Sequence, residues 1–139
     1  MRTTAAALLL LLILLPACSG NNSSTPANNP ATAAVKPADE NAALETIMKI
    51  NDAQLNYFKR NRRYALTFDE LVEAHLLNSE PAAETGYEFK LRPAADAQTY
   101  KLSVTPAASA SNARHFFTDQ TGVVHAETGK DATAESPST

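Results

Sequence analysis

Tyr87-Glu88-Phe89-Lys90-Leu91-Arg92 alternates apolar and charged residues without a break, and Tyr100-Lys101-Leu102-Ser103-Val104-Thr105 takes the pattern up again a few residues on. A period of two is the spacing of a strand that buries one face and wets the other, so two half-buried strands are expected. Further along, Arg114 to Thr118 and Val123 to Ala126 flank Asp119-Gln120-Thr121-Gly122. Asp at the first and Gly at the fourth of these positions suit a type I turn closed by a glycine bulge. That hairpin register sets Phe117 opposite His125 and His115 opposite Glu127.

Upstream of the strands the period lengthens. Leu44, Ile47, Met48, Leu55 and Phe58 recur at spacings of three, four and seven, with Glu45, Lys49, Asp52 and Asn56 largely elsewhere, which predicts an amphipathic helix. Lys59, Arg60, Arg62 and Arg63 follow, where the negative end of the helix dipole favours cations; a phosphate-binding patch is the sharper reading of the same cluster. Thr67-Phe68-Asp69-Glu70 has the spacing of a capping box and announces a second, short helix running to about Leu77, with Pro81 beyond its end. The expected class is α+β. Both helices should pack on one side of an antiparallel sheet of about four strands.

Length and composition bound the rest. A chain of 139 residues allows one small domain. All nine Tyr and Phe residues fall between Tyr57 and Phe117, so the core belongs in that interval. The formal charge of -3 supplies no global positive field and argues against nucleic acid as a partner. A single cysteine, Cys18, excludes an intrachain disulfide and a thiolate zinc site.

Cys18 has another use. Arg2 and the unbroken apolar run Ala5 to Leu15 read as the charged and hydrophobic regions of a secretory signal, and the run is shorter than the ~20 residues needed to cross a bilayer. Leu15-Pro16-Ala17-Cys18 resembles a lipobox, the cleavage site of bacterial lipoproteins, in which the cysteine thiol takes a diacylglycerol as a thioether. The resemblance implies lipid attachment at Cys18; Pro16 departs from the usual small or β-branched residue. Ordinary signal-peptidase cleavage after Ala17 or Ser19 is the competing reading, for which Leu15 is a poor match. Ser19 beside the cysteine resembles lipoproteins sent to an outer membrane. The implied organisation is a signal peptide at 1–17, the lipidated Cys18 and a disordered tether at 18–40, a folded module at 41–127 and a disordered tail at 128–139. The tether is rich in Asn, Ser, Thr, Pro and Ala, with almost nothing to bury, and as a flexible coil it would let the module range on the order of 25 Å from the bilayer.

The order of segments in the module, Ala43 to Ile47 and Ala53 to Tyr57, Phe68 to Leu71, Gly86 to Phe89, Tyr100 to Pro106 and Arg114 to Val123, resembles the soluble head of type IV pilins and type II secretion pseudopilins. The resemblance implies a helix packed on a small antiparallel sheet. It does not extend to a prepilin peptidase site, to the Glu five residues into the mature chain, or to the apolar half-helix by which those subunits enter a filament. The head fold carries over, and the filament-forming role does not.

No enzymatic constellation emerges, and no cofactor or catalytic residue is expected. His75 lies at the edge of an apolar helical face, as a boundary packing residue. His115 and His125 belong to hairpin strands; a metal site formed from one of them with Glu127 and Asp119 competes with the need of the turn for Asp119. Asp119 alone makes no calcium site. Two classes of function remain. One is a non-enzymatic binding or scaffold module on a lipid anchor, with an envelope, secretion or pilus protein as partner; the other is an envelope lipoprotein that binds a small ligand or glycan.

Overall fold

The computed structural model describes residues 38–81, 85–108 and 112–139. The expected signal peptide at 1–17, Cys18 and residues 19–37 of the expected tether lie outside the described residues. The described chain forms α1 (Glu40–Asn61), α2 (Phe68–Glu73) and four strands, β1 (Tyr87–Pro93), β2 (Tyr100–Pro106), β3 (Arg114–Asp119) and β4 (His125–Thr128). The strands pair antiparallel in chain order. The α+β class with a helix on a four-stranded antiparallel sheet is therefore the observed one.

The alternation of β1 and β2 sets the register. Phe89 pairs with Val104 and Leu91 with Leu102, so the apolar sets of the two strands share one face, while Glu88, Lys90, Arg92 and Lys101 are exposed. In the hairpin, Phe117 stands opposite His125 and His115 opposite Glu127, as the turn chemistry requires. The turn itself is longer at its far side than expected, since β4 begins at His125 rather than Val123. Gly122 takes the left-handed conformation (φ 76°) and its N–H donates to the Asp119 carbonyl over 3.0 Å.

Helix α1 starts where the Asp39 carboxylate accepts from the Ala42 N–H and stops at Arg62, whose φ of 58° ends the helical path. Its buried face is Ala43, Ile47, Ile50, Ala53, Gln54 and Tyr57. This differs from the face read from the large apolar residues: Met48 and Leu55 are 55% and 48% exposed. The apolar stripe is wider than the line of contact, and the helix turns its small residues, Ala43 and Ala53, inward. Gln54, polar and fully buried, is held there by the backbone. Its Oε1 accepts from the Ala65 N–H at 2.9 Å and its Nε2 donates to the Ala65 carbonyl at 3.2 Å.

The core gathers Ile47 and Ile50 of α1, Tyr87, Leu102 and Val104 of the first two strands, and Phe116 and Ala126 of the hairpin. Tyr64, on the link to α2, lies between Phe58 and Tyr100 with ring centroids 4.7 and 4.9 Å away. Helix α2 is shorter than expected, ending at Glu73 rather than near Leu77. His75 takes φ 56° there, and the Leu76 and Leu77 N–H groups both turn back to the Leu71 carbonyl. The capping box is half formed. Thr67 Oγ1 accepts from the Glu70 N–H, whereas the Glu70 carboxylate reaches Leu66 N–H and Arg63 instead of the cap's own N–H.

Residues 128–139, expected as a disordered tail, return along the sheet. The Gly129 N–H donates to the Ala113 carbonyl, the Ala126 N–H to Pro137 and the Thr139 N–H to Val124, while Ala132 is buried. Hydrogen bonds and one methyl group fix this segment, so no apolar periodicity marks it.

Two substitutions separate the core from the exposed flank of α1. Phe116→Ala should cost ~3–5 kcal/mol, because it empties the centre of the sheet's buried face. Leu55→Ala should cost under ~1 kcal/mol, because much of that side chain already meets water. Urea midpoints measure both, and a large loss at Leu55 would contradict the observed orientation of the helix.

Candidate functional site

A half-open groove of about 310 Å³ runs between α1 and the β3–β4 turn. Met48 and Leu55, one turn of helix either side of Asn51 and Asp52, form its helical wall, and Gln120, Thr121 and Gly122 form the other. Tyr64 and Tyr100 lie at its floor. Beside Gly122, Val123 is 44% exposed.

The floor is rigid. Tyr100 donates its hydroxyl proton to Asn51 Oδ1 at 2.9 Å, and Asn51 Nδ2 donates to Thr118 Oγ1 at 3.2 Å, so one side chain of α1 ties together β2 and β3. Burial, then the neighbouring Tyr64 and the Asp119 carboxylate, push the Tyr100 phenol well above its ordinary range, which keeps it a donor. The turn wall is equally fixed. Asp119 Oδ1 accepts from both the backbone N–H and the hydroxyl of Thr121, at 2.8 and 2.7 Å. Asp52 and Gln120 are exposed at the rim. The arrangement offers apolar contact from Met48 and Leu55 beside hydrogen-bonding groups, over a floor and a turn that are tied by side-chain hydrogen bonds.

The residues singled out from the sequence do not assemble into one centre. His75 is exposed at the end of α2, not packed on an apolar face. His115 Nδ1 lies 3.0 Å from Asp131 Oδ1, and His125 Nδ1 lies 2.6 Å from the Ser136 carbonyl. Glu127 pairs with Lys130 at 3.8 Å, and Asp119 serves its turn. Among the described residues, no group of three or more His, Cys, Asp or Glu is placed to hold a metal ion. Cys18 lies outside the described residues.

The cationic cluster divides. Arg63 folds back over the Tyr57 ring, 5.3 Å from its centroid, and reaches the Glu70 carboxylate with two nitrogens at 2.9 and 3.3 Å. Lys59, Arg60 and Arg62 stay exposed around the end of α1, the placement that the helix dipole favours. The groove was not legible beforehand. Met48 and Leu55 read as core residues, and only the helix's actual rotation releases them.

No family model, curated protein or solved structure matches the chain.

The Arg63 guanidinium, then a hydrogen bond from the Leu66 N–H, holds the Glu70 carboxyl below the usual carboxylate range, against the opposing effect of burial. A carboxyl with a lowered folded-state value stabilises the fold above its unfolded value, and that contribution is lost as pH falls through the folded value. Glu70→Gln should therefore lower stability by ~1 kcal/mol at pH 7, discounted for partial exposure. The gap to the wild type should narrow as pH drops below ~4. Chemical denaturation at pH 7 and pH 3 checks this, and an equal gap at both values would contradict it.

Proposed function

We propose that this chain is an exported lipoprotein, attached to a membrane through lipid on Cys18, whose pilin-like head is a non-enzymatic binding or scaffold module. Its partner is a protein of the cell envelope, and an accessory role beside a type II secretion or type IV pilus system fits the resemblance of the head. The observation that carries the binding role is the groove with Met48, Leu55 and Val123 exposed around it. Large apolar side chains left in water beside a rigid polar floor favour a surface that another protein covers. Methionine suits such a surface, since its unbranched, polarisable side chain adapts to what it meets.

A sugar or other flat small ligand is the weaker reading. The groove has two aromatic rings, but Tyr100 and Tyr64 are only 2% and 8% exposed and present no open face for stacking. Support for the anchor comes from the sequence of Met1 to Ser19. One acyl chain binds a bilayer only marginally, whereas the two or three chains of a bacterial lipoprotein hold stably.

Two measurements test the parts separately. Cys18→Ser should abolish lipid incorporation and leave an uncleaved precursor, with the head's fold unchanged. Wild-type protein in the soluble envelope fraction, with an unmodified N-terminus by mass spectrometry, would overturn the anchor. A photo-crosslinking amino acid at Met48 or Leu55 should yield a discrete protein adduct in the native envelope, and the same group at Lys90, on the exposed face of β1, should not. Equal, diffuse labelling at all three positions would remove the groove as the binding face.

A further inference from the structure

Strand β4 is the edge of the sheet, and the chain's own residues 129–139 cover it. The cover begins at Gly129, whose left-handed φ of 72° turns the chain back, and it runs first across the sheet. His115, Phe117, His125 and Glu127 share one face by register, the face opposite Phe116 and the core. On that face Asp131 meets His115, Ala132 is buried, and the Ser136 carbonyl meets His125. Beyond Ser136 the segment lies along β4 as a rudimentary fifth strand. The Ala126 N–H donates to the Pro137 carbonyl at 2.9 Å, the Thr139 N–H donates to the Val124 carbonyl at 3.0 Å, and Ser138 bridges His125 antiparallel.

This cover is lightly attached. Ala132 is its one buried side chain; Thr133, Ala134, Glu135, Pro137, Ser138 and Thr139 are all exposed. Pro137 has no N–H to give, so the segment makes a sparse ladder. Much of its shape is its own: Ser136 N–H donates to the Thr133 carbonyl, and Thr133 N–H donates to Ser136 Oγ. An edge with groups aimed outward is a template for another strand, and main-chain pairing at a sheet edge is a recurring mode of peptide recognition.

We propose that the β4 edge and the adjoining outer face form a strand-docking site for an extended segment of a partner protein, with residues 131–139 as its intramolecular stand-in. The stand-in defines the ligand's chemistry. An acidic residue meets His115, the small residue after it fills the place of Ala132, and an extended stretch supplies carbonyls to the His125 ring and the Ala126 N–H and an N–H to the Val124 carbonyl. This site is separate from the α1 groove and does not depend on the lipid anchor.

The test uses the full chain and a fluorescent synthetic peptide of residues 129–139. Ala132→Glu should unseat the stand-in, because a carboxylate cannot take the place of a buried methyl group. The variant should then bind the peptide at least ~10-fold more tightly than the wild type, whose own segment competes at a high effective concentration. A scrambled peptide should not bind, and adding His125→Ala to the variant should weaken binding. A folded Ala132→Glu chain that ignores the peptide overturns the proposal. Loss of cooperative unfolding in that variant also counts against it, by making the segment part of the core. Hydrogen exchange on the wild type gives an independent reading. The Ala126 amide, bonded to Pro137, should exchange at least ~100-fold faster than those of Leu102 and Val104 in the sheet centre. Exchange of Ala126 only with global unfolding would show that the edge is never offered.

Discussion

The side-chain amide of Gln54 makes both of its hydrogen bonds to the backbone of one residue, the N–H and the carbonyl of Ala65, in a place from which water is excluded. Each buried backbone group left unpaired costs ~1–3 kcal/mol, so the chain reversal after α1 could not be buried without this partner. Much of the rest follows from it. With Ala65 pinned, Tyr64 enters the core between Phe58 and Tyr100, and its own N–H donates to the Ala97 carbonyl on the β1–β2 loop. Thr67 can then start α2, whose Leu71 is buried against Ala53 and Tyr57 of α1. A side chain that looks polar in sequence thus determines where the helical half of the domain meets the sheet.

The sheet was legible because its signal is redundant. Each of β1 and β2 carries three apolar residues on one face and charged or hydroxylated ones on the other, and a slip of one residue would invert every one of them. The hairpin register followed from Asp119 and Gly122, residues chosen by backbone conformation rather than hydropathy. Helix α1 carried a weaker signal. Hydrophobicity ranked Met48 and Leu55 above Ala43, Ala53 and Gln54, but close approach to a sheet selects small residues, and backbone satisfaction selected the glutamine. The end of α2 was misplaced because His75 adopts a left-handed conformation that favours glycine, so no residue type announced the stop. The return of residues 128–139 rests on imidazole and backbone hydrogen bonds, which leave no periodic trace.

Geometry explains why a groove opens where it does. A single helix is ~10 Å across, whereas four strands spaced ~4.8 Å apart present a wider face. Helix α1 cannot cover that face alone. On one flank the link through Tyr64, the short α2 and Leu77 complete the cover. On the other, the β3–β4 turn stands beside the helix, no further element among the described residues lies over it, and Met48, Leu55 and Val123 stay in contact with water. Asn51, bonded to Tyr100 of β2 and Thr118 of β3, ties α1 to the sheet at the foot of the gap.

The two edges of the sheet are protected by different means. On β1 the exposed residues are charged, Glu88 and Lys90 pairing at 3.2 Å with Arg92 beyond them, and the strand ends in Pro93. Charge and proline make an edge a poor template for further pairing, and they cannot be withdrawn. Strand β4 has only four residues, and the outward face that it shares with β3 carries His125 and Phe117 with ring centroids 6.3 Å apart, too apolar to be left bare. The same chain supplies the cover, through the left-handed turn at Gly129 and contacts at His115, Ala126 and His125. A permanent solution would be a charged residue in place of Phe117. An apolar face under a separable segment keeps that surface dry while leaving its hydrogen-bonding groups and its apolar ring intact beneath.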